Sequence, residues 1–152
     1  MTGIHISPAR ATDHADWLAM RVALWPGGLD DEHGADIEAY DEDAQSPICL
    51  IARNGAGVAL GFAEAALRHD YVNGCKTSPV AFLEGIYVRP DTRGRGVARK
   101  LVAAVEAWAA GLGCTEFASD AALDNVQSHA MHKALGFTET QRVVYFRKSV
   151  KA

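Results

Sequence analysis

The apolar positions of this chain change spacing several times, and each change marks an element. Ile4 and Ile6 alternate with His5 and Ser7 ahead of Pro8, which predicts a short first strand. Thr12 then stands where a helix cap is wanted, Asp13 and Asp16 lie near the positive helix end, and Leu18, Val22 and Trp25 recur at i, i+4 and i+7 as an inward stripe. Trp17 and Arg21 share a neighbouring face, and Pro26-Gly27-Gly28 stops the helix. A weaker helical pattern follows, with Ile37 and Tyr40 inward, and Gln45-Ser46-Pro47 ends it.

Ile48 to Arg53 reads as a strand, Asn54-Gly55 as a hairpin turn, and Val58 to Arg68 as a longer partner strand interrupted by Gly61. His69 to Pro79 has loop composition, with Tyr71 as an exposed aromatic. Val80 to Val88 is a third strand, stopped by Arg89-Pro90-Asp91. A helix from about Val97 carries Leu101, Val105 and Trp108 on one stripe and ends at Gly111-Leu112-Gly113. Glu116 to Ser119 is a short strand, a further helix runs from about Asn125 to Gly136, and Phe137 to Lys148 reads as a final strand region, with Val143, Tyr145 and Arg147 alternating against Val144, Phe146 and Lys148. A meander followed by alternating strands and helices predicts an α+β (mixed α/β) fold, a mixed sheet with helices on both faces.

With 152 residues, 49% of them hydrophobic, one domain over 1–152 can bury a core without metal or disulfides. No run approaches the ~18 apolar residues that span a bilayer, and the N-terminus has no basic region followed by an apolar run, so a cytoplasmic protein with no membrane partner is expected. Cys49, Cys75 and Cys114 form no C-x-x-C pair and no metal pattern; Cys49 and Cys114 read as small core residues. A net charge of −4 is too mild for a nucleic-acid partner. The charges are segregated, however: Asp30 to Asp43 holds eight acids and no lysine or arginine. Such a run is either a solvated helix face or a negative surface for a cationic substrate.

Between the third strand and the helix at Val97 lies Arg93-Gly94-Arg95-Gly96. Two residues without side chains let the backbone turn and bare its N–H groups at a helix start, and Arg89, Arg93, Arg95, Arg99 and Lys100 surround the turn. Either this is a phosphate cradle, or glycine and arginine are simply frequent in loops. No P-loop and no N-terminal G-x-G-x-x-G is present. Arg93 to Ala98 fits [Q/R]-x-x-G-x-[G/A], and the segment resembles the acetyl-coenzyme A loop of GNAT N-acetyltransferases.

The resemblance narrows to the aminoglycoside 6'-N-acetyltransferase branch on L-W-P-G at Leu24 to Gly27, R-H-D-Y-V-N-G at Arg68 to Gly74, F-L-E-G-I-Y-V at Phe82 to Val88, A-S-D at Ala118 to Asp120 and A-L-G-F-T-E-T at Ala134 to Thr140. It implies a GNAT fold, with a largely antiparallel sheet splayed at the cofactor strand. The implied activity is transfer of acetyl from acetyl-coenzyme A to the 6'-amine of aminoglycosides by direct attack in a ternary complex, without a metal. A GNAT acting on another amine, such as a polyamine or a protein N-terminus, and a non-catalytic coenzyme A-binding module are the alternatives.

Acetyl transfer to an amine needs a group to manage the amine's proton and donors for the developing oxyanion. Glu84 interrupts an apolar strand and is the first candidate, against the alternative of a solvent-facing strand carboxylate; the resemblance also puts an acid here. Asp120, just past the strand ending at Ser119, is a second catalytic carboxylate or a helix cap. By resemblance, Trp25, Tyr71 and Glu139 join Glu84 and Asp120 around the cationic aminoglycoside, although each could equally be a packing or surface residue. The family pattern implies pantetheine pairing with Ile86, Tyr87 and Val88, with Gly85 permitting a bulge or close approach, and pyrophosphate on Arg93, Gly94, Arg95, Gly96, Val97 and Ala98. Asn125 matches the asparagine that holds the pantetheine. Where many members carry a tyrosine that protonates the thiolate this chain has His132, so a histidine acid or an unassisted thiolate remain open. The chain after Phe137 holds one long strand and a stub, and a homodimer with the C-terminal strand region at its interface is expected.

Overall fold

In the computed structural model, which describes residues 3–27 and 30–151, the period-two runs pair as β1 (His5–Pro8), β2 (Ile48–Arg53), β3 (Ala59–Arg68), β4 (Val80–Val88) and β5 (Phe117–Ser119), adjacent in that order. The first four are antiparallel neighbours and β5 runs parallel to β4. A parallel pair needs a crossover rather than a hairpin; α3 (Val97–Gly111) supplies it. Between β1 and β2 lie α1 (His14–Leu24) and α2 (Asp30–Ala39), and α4 (Val126–Ala134) follows β5. The chain forms two compact units, Met1–Asp120 and Ala121–Ala152.

Alternation along the strands serves two cores. Leu50, Ala52, Ala63, Ala65 and Leu83 pack with Val97, Leu101 and Val105 of α3 on one face. Cys49, Ile51, Ala59 and Phe62 pack with Trp17 and Met20 of α1 and Ile37 of α2 on the other. Each large side chain so buried contributes about 1.5–3 kcal/mol.

The register slips in the middle of β4. Glu64 pairs with Gly85 and Ala65 with Leu83, so Glu84 is an extra residue without a partner on β3. The bulge reverses the alternation beyond it: Leu83 and Ile86, three apart, pack on the same α3-side core. It falls on Glu84 itself, one residue before the expected glycine, and bulges of this kind re-aim a side chain beside a site.

Other departures have local causes. The buried face of α1 is Trp17, Met20 and Arg21, rotated from the expected Leu18–Val22–Trp25 stripe, because the guanidinium of Arg21 finds Glu64 inside. Thr12 does not cap α1: residues 11–13 form a 3-10 turn in which Asp13 accepts from the Arg10 amide at 2.8 Å and pairs with Arg53. The hairpin after β2 turns on the Asn54 side chain, which accepts from the Ala56 and Val58 amides, and on Gly57 at φ +84° in place of Gly55. Cys49 is fully buried, whereas Cys114 is half-buried. Of the stop signal after α1, Gly28 lies outside the described residues. In the second unit Gly136, at φ +95°, ends α4. The expected strand Phe137–Lys148 is not among the five strands of the described residues: alternation fixes which side chains share a face, not which strand lies alongside. Its Val144, Tyr145 and Phe146 are 71%, 86% and 91% exposed.

Candidate active site

Alternation in β4 puts Glu84, next after the α3-facing Leu83, on the α1 and α2 side of the sheet. There it lines a cavity of about 440 Å³ together with Arg21, Trp25, Glu32, His33, Asp36 and Glu64. Arg68, the last residue of β3, grips Glu84: Nη2 donates to Oε1 at 2.7 Å and to Oε2 at 3.1 Å, and Nε donates to Oε2 at 3.3 Å. The guanidinium carbon sits 3.6 Å from the centroid of the Phe82 ring.

Trp25 follows α1 and its amide donates to Arg21 O at 2.8 Å. Its indole lies over Gly85, where any Cβ would come within 2.4 Å of Cζ2. The same ring stacks on His33 with an interplanar angle of 13° and has the Arg21 guanidinium 5.1 Å from its centroid. Beneath it, the buried Arg21 donates to Asp36 at 3.1 Å and to Glu64 Oε1 at 3.3 Å. Arg21 Nε is 2.9 Å from Glu64 Oε2 without the alignment of a hydrogen bond, so charge holds this contact more than fork geometry does. Trp17 Nε1 donates to the same Oε2 at 2.9 Å. Burial pushes the Glu64 carboxyl above its ordinary range, and the Trp17 hydrogen bond and Arg21 charge pull it back. Sequence reasoning passed over Glu64, although it is a lone carboxylate in an apolar strand just as Glu84 is. It took the acids of α2 as a group, without singling out Glu32 and Asp36.

Asp120 and Tyr71 are not among the residues lining this cavity. The last rung between β4 and β5 is Leu83 with Ser119, so Glu84 and Asp120 each stand one residue beyond it. The cap of α4 is Asn125, and Asp120 is therefore not spent on capping. Tyr71 is 78% exposed on a loop tied down by Glu116, whose Oε1 accepts from the Lys76 amide, the Thr77 amide and the Thr77 hydroxyl. Those bonds, the Thr77 hydroxyl first, hold the Glu116 carboxyl below the ordinary range. A lowered folded-state pKa means that the clamp is fully present above the unfolded value of 4.5 and is lost as pH falls through the folded value. Glu116→Ala is accordingly expected to speed amide hydrogen exchange at Lys76 and Thr77 at pH 7 while leaving β2 and β3 protected, and wild type is expected to approach that behaviour only under acid.

On its β5 side, β4 is paired only at Ala81, Phe82 and Leu83. Ile86, Tyr87 and Val88 pair with Ala63, Phe62 and Gly61 on the other side, and among the described residues no strand covers their outer edge. The chain then turns through Pro90–Thr92, where Arg93 Nε donates to Val88 O at 3.0 Å. Gly94 and Gly96 both have positive φ, +79° and +85°, which only glycine adopts freely. Helix α3 starts at Val97 with no side-chain cap and no acid in its first turn. The amides around Arg95, Gly96, Val97 and Ala98 are thus left to an outside acceptor, at the positive end of a four-turn dipole.

In the second unit, Asn125 Oδ1 accepts from the Ser128 amide at 3.1 Å. His132 Nδ1 is 2.7 Å from Ser128 O and its ring meets the edge of Phe137. A carbonyl only accepts, so the neutral ring carries its proton on Nδ1, and Nε2 can donate a proton only from the imidazolium. Glu139 is paired with Arg142 at 3.0 Å, which holds its carboxyl below the usual range. No three His, Cys, Asp or Glu side chains converge as a metal site among the described residues.

Residues 14–137 match the profile of the Acetyltransferase (GNAT) family. The chain is 52% identical over 147 residues to an aminoglycoside N(6')-acetyltransferase type 1 of Acinetobacter genomosp. 13, covering 97% of this chain and 99% of that one. It superposes with a TM-score of 0.92 and 47% identity on the aminoglycoside N-acetyltransferase AAC(6')-Iy in complex with CoA, covering 99% of this chain and 97% of that one. For AAC(6')-Iy in complex with the bisubstrate analog CoA-S-monomethyl-acetylneamine, the TM-score is 0.90 at 48% identity, with 97% and 99% covered.

Proposed function

The chain belongs to the acetyltransferase (GNAT) family, and on that premise we propose that it moves the acetyl group of acetyl-coenzyme A to the 6'-amino group of aminoglycosides, an antibiotic-resistance activity. The observation that carries this is the cavity joining an aromatic wall at Trp25 to the carboxylates Glu32, Asp36 and Glu84, the complement of a polycationic sugar, in a chain that aligns nearly end to end with its relatives.

Acetyl-coenzyme A binds with its pantetheine along the uncovered edge of Ile86, Tyr87 and Val88 and with its pyrophosphate on the amides of Arg93 to Ala98. The amine enters beside Glu84, with Trp25, Tyr71 and Asp120 as further contacts. One proton leaves the amine to Glu84 or to a water it holds, the N–C bond forms at the thioester carbonyl, the C–S bond breaks, and the thiolate takes up a proton. Asp120 supports the same proton transfer. No thiol carries the acetyl group: burial pushes Cys49, the most enclosed of the three, far above the ordinary thiol range.

One domain over 1–152 is part of this reading, supported by a family match that runs from the first unit into the second, over residues 14–137. So is a cytoplasmic site of action, which suits three free cysteines; no helix of the described residues is long and apolar enough to cross a membrane. A homodimer closes over the C-terminal segment, because Val144, Tyr145, Phe146 and Val150 are each more than 70% exposed and need a cover. Sedimentation equilibrium is expected to give twice the 16.3 kDa chain mass for wild type and the single mass for Phe146→Asp.

Thiol release from acetyl-coenzyme A, measured against kanamycin, tobramycin, gentamicin and spermidine, tests the function. Turnover of spermidine with none of the three antibiotics would defeat it.

A further inference from the structure

The carboxylate assigned to the acceptor amine already has a cation on it. Arg68 reaches both oxygens of Glu84, at 2.7 Å, 3.1 Å and 3.3 Å, while its guanidinium plane rests on Phe82. The side chains are 44% and 34% exposed, and a pair so open to water adds little to stability. Its main effect is on the charge that Glu84 presents. The other cation of the cavity, Arg21, is committed to Asp36 and Glu64.

Building on the assignment of Glu84 to the acceptor amine, we propose that Arg68 is a charge-setting residue for the reaction, which shares the Glu84 carboxylate with the incoming amine and biases that amine toward its neutral, attacking form. A carboxylate offers about four acceptor positions, and three short contacts from one side leave room for a second donor. An alkylamine, which like a lysine side chain in water titrates near ~10.4, arrives as ammonium at neutral pH. A lone glutamate, among Glu32, Asp36 and Glu64 with only Arg21 and His33 to offset them, would hold that ammonium in its unreactive form. A guanidinium on the same carboxylate repels the ammonium and spares the neutral amine. The arrangement weakens ground-state binding and speeds the attack.

Steady-state kinetics with kanamycin and acetyl-coenzyme A on R68Q, R68K and E84Q test this. R68Q is expected to lower KM for kanamycin severalfold and to lower kcat about tenfold at pH 7, the neutral-amine fraction lost with one pKa unit. The kcat deficit should shrink as pH rises and solution base takes over the deprotonation, R68K should keep most of the wild-type kcat, and KM for acetyl-coenzyme A should not move. A higher KM with unchanged kcat in R68Q, or a deficit that stays constant with pH, overturns the role of Arg68. If E84Q keeps wild-type kcat, the assignment of Glu84 fails and takes this inference with it; if E84Q is impaired while R68Q shows no split, the inference alone fails.

Discussion

Glu84→Gln is expected to lower kcat for aminoglycoside acetylation by about 10²- to 10⁴-fold, the range typical of a lost acid–base group, with KM for acetyl-coenzyme A within about twofold of wild type. The amide keeps the shape of the side chain, and its oxygen can still accept from Arg68, so the bulge on β4 and the contact with Phe82 have no reason to change. What disappears is the negative charge and the capacity to take a proton. Asp120→Asn should produce the same pattern at smaller size, because Asp120 does not line the Trp25 cavity. Initial rates over both substrates, with coenzyme A affinity measured by calorimetry, separate the outcomes. A loss of coenzyme A binding that parallels the loss of turnover would make Glu84 a structural residue of the cofactor strand.

How much of this site was legible in the sequence depends on how far each feature reaches along the chain. β2, β4 and α3 have the boundaries that their own residues predict, since an uninterrupted apolar run or a stripe ending in glycine is decided locally. The positive-φ glycines of the loop before α3 are equally local. Arg21 is different. A lone arginine beside Trp17 looks like a flank of the helix, and only Glu64, 43 residues on, makes it a buried residue. The rotation of α1 follows from that one pair. The bulge at Glu84 is set by the slip between Glu64 and Ala65 on another strand, a relation that neither strand contains alone. A sharper rule was still available: an acid inside an apolar strand calls for a partner wherever it occurs, and applied to Glu64 as to Glu84 it would have found the floor of the cavity. The C-terminal alternation marks the opposite limit, for a strand pattern names no partner.

Two glycines in the paired strands make the last test, because they face different neighbours. At Gly61 a Cβ would stand 2.3 Å from Tyr87 O and 3.2 Å from Val88 Cα, both backbone atoms of β4. A ladder cannot turn aside as a side chain can, so Gly61→Ala must push β3 and β4 apart beside the uncovered edge of β4 that we propose for the pantetheine. The expected loss is about 3 kcal/mol, the upper end for overpacking, or roughly 6–12 °C in Tm for a chain of this size, with weaker coenzyme A binding. At Gly85 the Cβ would meet the Trp25 indole at 2.4 Å and Leu24 at 3.1 Å, which are side-chain atoms able to shift. Gly85→Ala should therefore cost less stability, about 1–2 kcal/mol, and should raise KM for the aminoglycoside while sparing the cofactor. Thermal unfolding and separate titrations of coenzyme A and kanamycin on the two variants read this out. If both variants damaged the same ligand equally, the division of β4 into a cofactor edge and an acceptor face would be wrong.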